Sequence, residues 1–218
     1  MRTPKSFLSA IAETRTGKSA LLGIAALGVG GAIVMSPATA HAAEGTPPAP
    51  ASKVASYDGA LQPNGYYCGP AATRIALTGH GIAPSFDELA GKLGTTTSGT
   101  NSINDITRVL NEHVGGRYQS VEISGSKASP EQTEKLRTDV VKSVTEGDPV
   151  VANIAGTVTD TIGESHSYKG GHYLTVTGYA DEGRKVTITD PADRVGSNEY
   201  QLPVEKLANW IASRGYSA

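Results

Sequence analysis

The residues with the clearest chemical potential surround Cys68, the only cysteine in the 218-residue sequence. Gly69 and Pro70 follow it, and the run Ala71–Leu77 has good helix propensity, so a helix is predicted over 69–78. Pro70 suits the first turn of a helix, where its missing N–H is not needed. A thiol at a helix N-terminus lies near unpaired N–H groups and the positive end of the dipole, and both favour the reactive thiolate. The motif predicts a nucleophile, with a small buried side chain as the alternative.

A nucleophilic thiol needs a base to hold it as thiolate, and that base needs a third group to fix its tautomer. His172 opens an apolar strand, and Asp190 closes the next strand. If the intervening turn centres near Asp181, positions 172 and 190 face each other across an antiparallel pair, with Cβ atoms about 4.5–5.5 Å apart. The alternatives without a catalytic role are an ordinary strand-end histidine and an aspartate that starts a turn at Pro191.

Two further side chains bear on this chemistry. The oxyanion that forms when a carbonyl is attacked needs hydrogen-bond donors, and the Cys68 N–H and the side-chain amide of Gln62 are the candidates. Gln62 beside Pro63 is otherwise an ordinary loop residue. His166 is the competing base, but it lies in a polar segment where solvation is the default. We expect no metal and no cofactor, because one cysteine and scattered histidines do not form a ligand set.

The N-terminal 43 residues have the features of an export signal. A basic head is followed by the apolar run Ala20–Met35 and by small residues at 38–42 that are typical of a cleavage site. A membrane anchor is the alternative, but the run is rich in Gly and Ala, ends at Pro37 and lacks a basic stop-transfer flank. We therefore predict a signal peptide over 1–43.

The remaining residues, about 170, are enough for one domain. Residues 44–53 are predicted to be a Pro/Ala-rich linker and 54–218 a single domain of a secreted protein. The formal net charge of −2 and the lack of a basic patch exclude nucleic acid and an anionic membrane surface as expected partners. A lone cysteine in an exported protein cannot form an internal disulfide, and an idle exposed thiol is liable to oxidation, which favours a working thiol.

The elements that must position these residues follow from caps and periodicity. Helices are predicted to begin after Ser85, Ser102 and Ser129, and a last helix is predicted over 203–213. Strands are predicted over 118–123, 150–154, 172–179 and 185–190, and 156–171 is predicted to be a surface loop. Helices come first and strands cluster late, which indicates an α+β fold with N-terminal helices packed on a C-terminal antiparallel sheet.

Three motifs, taken in order, resemble those of the papain-like cysteine peptidases. They are Gln62 six residues before Cys68-Gly69-Pro70-Ala71, then Gly171-His172-Tyr173, then Asp190-Pro191-Ala192. The chain looks most like a stand-alone, secreted member of the bacteriocin-processing-like family, cysteine peptidase family thirty-nine. The resemblance implies a papain-like fold, with Gln62 as oxyanion donor, Cys68 as nucleophile, His172 as base and Asp190 as its orienting group. Processing members of that family are domains of membrane exporters that act on double-glycine leaders, whereas this chain is predicted to leave the cytoplasm.

We therefore expect a secreted cysteine hydrolase that cleaves peptide bonds through a thioacyl-enzyme. Its partner would be a peptide or protein substrate, with no membrane contact after signal removal, and the chain would act as a monomer. A non-catalytic peptide-binding module on the same fold is one alternative. An acyl transferase that uses the same triad is the other, since an amine can replace water as acceptor.

Overall fold

The computed structural model describes residues 48–193 and 198–218, so the predicted signal peptide lies outside the described residues. The helices are α1 Cys68–Thr78, α2 Phe86–Leu93, α3 Ile103–Val114, α4 Pro130–Glu146 and α5 Val204–Ile211. The strands are β1 Lys53–Val54, β2 Ser120–Ile123, β3 Val150–Thr159, β4 Ser165–Ala180, β5 Lys185–Thr189, β6 Glu199–Pro203 and β7 Arg214–Ser217. A 3-10 turn, Asp181–Gly183, joins β4 to β5.

The strands form one antiparallel sheet in the order β2-β7-β3-β4-β5-β6, and β1 pairs with β4. Neighbouring residues of β3 point to opposite faces, as the pleat of a strand requires. Val151 belongs to the apolar cluster shared with α1, α2 and α3, whereas Ala152 and Ile154 belong to the cluster shared with α4 and α5. The α+β architecture predicted from the sequence is confirmed, and helices cover both faces of the sheet.

Local signals place the helix starts as predicted. Ser85, Ser102 and Ser129 are N-cap residues, and each side chain accepts a hydrogen bond from a backbone N–H in the first turn. Ser129 and Gln132 form a full capping box, with the Gln132 side chain accepting from the Ser129 N–H. Gly147 ends α4 in the left-handed conformation that glycine adopts without steric cost.

The prediction of a surface loop over 156–171 is wrong. Residues 157–159 pair with 165–167 and extend the β3–β4 hairpin beyond the body of the sheet. Asp160 closes the turn, because its Oδ1 accepts the N–H groups of Ile162 and Glu164, each at 2.9 Å. The segment is rich in small polar residues because much of it faces solvent, which hides a strand whose pairing partner lies next along the chain.

The C-terminal end also departs from the prediction. The final helix stops at Ile211, and β7 follows it and inserts between β2 and β3. Ser213 lies between the two elements in the left-handed region, with a φ of 64°, and its N–H donates to the Ile123 carbonyl at 2.8 Å. This turn is too short to leave a signal in composition. Among the described helices, none has both the length and the apolar character needed to cross a bilayer.

The β4–β5 register differs from the predicted one. Thr175 pairs with Thr189 and Val176 with Ile188, so a continuation of this ladder sets Asp190 opposite position 174 and not opposite 172. One residue of β4, Thr177, bulges out of the ladder between Val176 and Gly178. The predicted direct pairing of His172 with Asp190 is therefore wrong by two residues, because neither the bulge nor the 3-10 turn was foreseen.

Candidate active site

Cys68 is the first residue of α1, half-buried and outside any disulfide. Its N-cap residue, Tyr67, supplies no side-chain cap, so the N–H groups of the first turn are free for other partners. The helix is held on the sheet by Thr175, whose hydroxyl donates to the Ala72 carbonyl at 3.0 Å. The predicted position at a helix N-terminus is what the structure contains.

Gly69 has a steric reason to lack a side chain. A Cβ built there would lie 2.2 Å from Oγ1 and 2.8 Å from Cβ of Thr100. Thr100 is buried and its hydroxyl bonds to that of Thr95 at 2.8 Å, so it cannot easily move. The glycine after the cysteine thus lets the 95–100 loop pack against the thiol-bearing turn.

We expect Gly69→Ala to lower the melting temperature and to slow alkylation of Cys68 at neutral pH. Alanine normally stabilises a helix relative to glycine by about 0.5–1 kcal/mol, but here overpacking costs about 1–3 kcal/mol. The test compares thermal melts and mass-mapped alkylation of Gly69→Ala with those of the double variant Gly69→Ala/Thr100→Gly. Thr100→Gly alone is the control. The double variant should recover most of the loss, and a melting temperature above wild type for Gly69→Ala would contradict the argument.

His172 and Asp190 are in direct contact despite the shifted register. The His172 Nε2 lies 2.7 Å from the Asp190 Oδ1, and the two side chains are 5% and 0% exposed. The contact runs diagonally across the ladder, where residues two positions off register are about 7–8 Å apart and long side chains still meet. Because Nε2 is bound to Asp190, Nδ1 is the imidazole nitrogen left for Cys68.

Asp190 is bound on every side. Its Oδ1 accepts the Ala192 N–H at 2.9 Å, and its Oδ2 accepts the hydroxyls of Tyr168 and Tyr200, each at 2.9 Å. Burial and the charge of Asp190 raise the pKa of both tyrosines, which keeps their hydroxyls protonated as donors. Sequence reasoning missed both: Tyr168 fell in the predicted loop, although the alternation over 165–168 was a strand signal, and Tyr200 lies in the unpredicted β6.

A bulge of β4 at residues 169–171 places Tyr168 against the imidazole of His172. Residues 168 and 172 pair with 156 and 154, so four steps along β4 match two along β3. In a regular strand the two side chains would be about 13 Å apart, but here the rings stack with centroids 4.0 Å apart. Gly171, with a φ of 100°, absorbs the excess chain. The imidazole is thus held between a stacked ring and a buried carboxylate.

The electrostatics favour a thiolate–imidazolium pair. Burial alone would raise the pKa of the Cys68 thiol, but the hydrogen bond and charge of His172 hold it below its usual value, helped by the backbone N–H groups of Tyr173 and Gly69. Burial would lower the pKa of His172, but hydrogen bonds with Asp190 and Cys68 raise it to about 9. Burial likewise opposes ionisation of Asp190, whose pKa is nevertheless kept below its ordinary value by His172.

Gln62 is buried and tied to the segment after Asp190. Its backbone N–H donates to the Pro191 carbonyl at 2.8 Å, and its side-chain Nε2 donates to the Asn64 carbonyl at 2.6 Å. Asn64 in turn accepts the Tyr66 N–H on its side-chain oxygen at 3.1 Å, which tightens the loop leading to Cys68. The bond from Nε2 to the Asn64 carbonyl restricts the orientation of the side-chain amide.

His166 contacts a different pair of carboxylates. Its Nε2 lies 3.3 Å from Asp160 Oδ2, and its Nδ1 lies 4.0 Å from Asp193 Oδ2. Its ring stacks on Tyr200 with centroids 3.6 Å apart. Both ring nitrogens therefore face carboxylates and not the thiol, so the geometry favours His172 over His166 as the base. Across 48–193 and 198–218, no three His, Cys, Asp or Glu side chains are grouped as a metal site.

Comparison with known proteins adds a family and a fold. A family model described as "Peptidase_C39 like family" matches residues 54–218. A search of curated proteins gives no match.

Three solved structures share the fold. A protein from Bacillus anthracis described as a C39-like peptidase aligns with a TM-score of 0.50 and 19% identity, over 76% of this chain and 96% of that one. The peptidase domain of Streptococcus ComA, a bifunctional ABC transporter of a quorum-sensing pathway, aligns with 0.51 and 16%, over 75% and 97%. Xylellain, a cysteine protease from Xylella fastidiosa, aligns with 0.50 and 10%, over 78% and 86%. At these identities the likeness concerns the fold, and the papain-like fold expected from the sequence is confirmed.

Proposed function

Because the chain belongs to the peptidase C39-like family of cysteine peptidases, we propose that it hydrolyses peptide bonds with Cys68 as nucleophile, His172 as general base and acid, and Asp190 as the group that orients His172. The observation that carries this proposal is the continuous row of contacts from the thiol to the buried carboxylate. A binding module without turnover would need neither the lowered pKa of Cys68 nor the raised pKa of His172.

The reaction follows from the arrangement. The Cys68 thiolate attacks the peptide carbonyl carbon, an S–C bond forms, and the electron pair of the C=O bond moves to oxygen. When that intermediate collapses, the C–N bond breaks and the leaving amine takes the proton from His172 Nδ1. Water then gives a proton to His172 and attacks the thioester. The second tetrahedral intermediate collapses with cleavage of the C–S bond, which releases the carboxylic acid product and restores the thiolate–imidazolium pair.

Two donors are proposed for the oxyanion. The Cys68 N–H lies in the first turn of α1, where backbone donors have no intrahelical partner. The side-chain amide of Gln62 is the other, and the bond from its Nε2 to the Asn64 carbonyl restricts the orientation of that amide. Pre-oriented donors of this kind contribute on the order of 10²–10³ in kcat each.

We further propose that this activity operates outside the cell and that the chain acts as a monomer on peptide or protein substrates. Support comes from the basic head, apolar run and small-residue site at 1–43, and from the single cysteine, which suits a working thiol in an oxidising compartment. As a hydrolase, the protein is expected to release a carboxylic acid and not to transfer the acyl group to an added amine.

The first test is the pH dependence of Cys68 alkylation. We expect a midpoint below about 8.5, the value of an ordinary thiol, because His172 lowers the pKa of Cys68. Peptide hydrolysis should rise through that midpoint and fall as pH passes about 9, where His172 loses the proton that the leaving amine needs. Alkylation by iodoacetamide, mapped by mass spectrometry, measures the midpoint of thiolate formation. Cleavage of a peptide library measures the rise and fall of hydrolysis with pH.

The sole cysteine makes the alkylation result specific to one residue, and Cys68→Ala serves as the inactive control for cleavage. An alkylation midpoint at or above about 8.5 would rule out the thiolate pair. Covalent capture of Cys68 by a peptide aldehyde, without any cleavage in the library, would favour the binding module.

A further inference from the structure

Arg214 differs from the other arginines whose side chains the structure describes. Each of the others has a carboxylate within 4.0 Å: Arg74 with Asp58, Arg108 with Glu112, Arg117 with Asp148, Arg137 with Glu134 and Arg184 with Asp181. Within 48–193 and 198–218, Arg214 has none, although its side chain is half-buried. A guanidinium that has lost part of its hydration without gaining an anion suggests that a ligand supplies one.

The Arg214 side chain lies against the strand that carries the proposed base. Three of its guanidinium atoms are 2.9–3.0 Å from the position that a Cβ of Gly171 would occupy, and Gly171 directly precedes His172. Glycine is therefore needed there both for its φ of 100° and for the approach of the guanidinium. The guanidinium of Arg214 thus lies directly against the backbone of the residue that precedes the proposed base.

A polar chain of contacts joins Arg214 to the thiol. Its Nη1 donates to Asn153 Oδ1 at 3.3 Å, and Asn153 Nδ2 donates to the Tyr173 hydroxyl at 3.1 Å. The backbone N–H of Tyr173 bonds to Cys68. Because a guanidinium has five N–H donors, the single long bond to Asn153 leaves most of these donors for a ligand.

The space beside Arg214 is a groove of about 480 Å³, within the range of small-ligand sites. Its walls are the start of α3, the end of β2 and the start of β7, and Asn101 and Asn104 are among the lining residues. Glu122 also lines it and forms no ion pair with Arg214 within 4.0 Å. The groove can hold one residue of a peptide, with the guanidinium at one wall.

We propose that this groove binds a carboxylate of the substrate through Arg214, an assignment that rests on the proposed peptidase function of Cys68. The planar guanidinium of an arginine can donate two parallel hydrogen bonds to one carboxylate, which adds affinity and fixes the orientation of the ligand. The carboxylate belongs either to an acidic side chain near the scissile bond or to the C-terminus of a short peptide. In both cases the site selects an anionic substrate.

The test uses three electrophiles that differ only in whether, and at which position, they carry a carboxylate. They are N-iodoacetyl-glutamate α-amide, N-iodoacetyl-glutamine free acid and N-iodoacetyl-glutamine α-amide, and the rate at which each alkylates Cys68 is followed by mass spectrometry. We expect one or both anionic probes to react about 10- to 100-fold faster than the neutral probe, the range of a charge-assisted hydrogen bond. Arg214→Gln should reduce that ratio to below about threefold, and Arg184→Gln, a surface arginine with its own carboxylates, should leave it unchanged.

The pattern among the probes identifies the source of the carboxylate. Preference for the glutamate α-amide indicates an acidic side chain, and preference for the glutamine free acid indicates a terminal carboxylate. Equal rates for all three probes in the wild type, or a ratio that survives Arg214→Gln, would overturn the assignment. Because these rates need no turnover, they are independent of peptide cleavage: a retained charge preference without cleavage of any peptide counts against the proposed hydrolase and leaves the carboxylate site in place.

Discussion

Replacement of His172 by alanine is expected to lower kcat/KM for peptide hydrolysis by about 10³-fold or more. General acid–base catalysis alone contributes roughly 10²–10⁴-fold, and His172 also supplies the hydrogen bond and charge that hold the pKa of Cys68 down. The variant should therefore lose both hydrolysis and fast alkylation of Cys68 at neutral pH. Steady-state kinetics and alkylation–pH profiles on the same preparation measure the two losses.

His166→Ala is the matched control, since it removes a half-buried histidine that also pairs with an aspartate and also stacks on a tyrosine. It should keep the alkylation midpoint and most of the hydrolysis, because the ring nitrogens of His166 face Asp160 and Asp193. If the His166 variant lost the low midpoint and the His172 variant kept it, the base would be His166 and the proposed row of contacts would be wrong.

Asp190→Asn is expected to lower kcat by roughly 10- to 1,000-fold while KM changes little. The orienting carboxylate of a triad can contribute about 10⁴ in serine enzymes, and the effect is smaller where the thiolate is already formed. The structure adds a second consequence. Four donors converge on this side chain, and an amide that replaces one oxygen by NH₂ forces both tyrosine hydroxyls to turn and accept. A buried mismatch of this kind costs about 1–3 kcal/mol, so the melting temperature should fall.

Asp148→Asn separates the two effects of that substitution. Asp148 is also buried and paired, with Arg117 at 2.7 Å and His80 at 2.9 Å, but His80 follows the C-terminal end of α1, about 15 Å along the helix from Cys68. Its variant should lower the melting temperature and leave kcat within about twofold, since Asp148 does not touch the site. Unchanged kcat and unchanged melting for Asp190→Asn would reduce Asp190 to a residue that starts the turn at Pro191.

The parts of the fold that could be predicted from the sequence are those with local causes. The start of α1 follows from Pro70 and the alanine-rich run after it, and the starts of α2, α3 and α4 follow from serine caps, whose energetics involve residues within one turn. Strands at 157–159 and 165–168 depend on pairing with each other, so composition hid them. The contacts of Tyr168 and Tyr200 with Asp190 could not be predicted even if 165–168 had been taken as a strand. They need the bulge of β4 at residues 169–171 and the pairing of β6 on the far side of β5.

The bulge at Thr177 has a consequence for how this hairpin can change length during evolution. The 3-10 turn pairs Ala180 with Lys185, and without the extra residue that ladder would set Asp190 opposite Thr175. Thr175 points towards α1, where its hydroxyl reaches the Ala72 carbonyl, which is the face opposite to that of His172. The extra residue moves Asp190 to the level of Leu174 and so onto the side of the sheet shared with His172. A deletion or insertion of one residue between 172 and 190 would therefore separate base and carboxylate onto opposite faces. Descendants of this sequence can lengthen or shorten the hairpin by two residues at a time, or by one residue only with a second bulge to correct the parity.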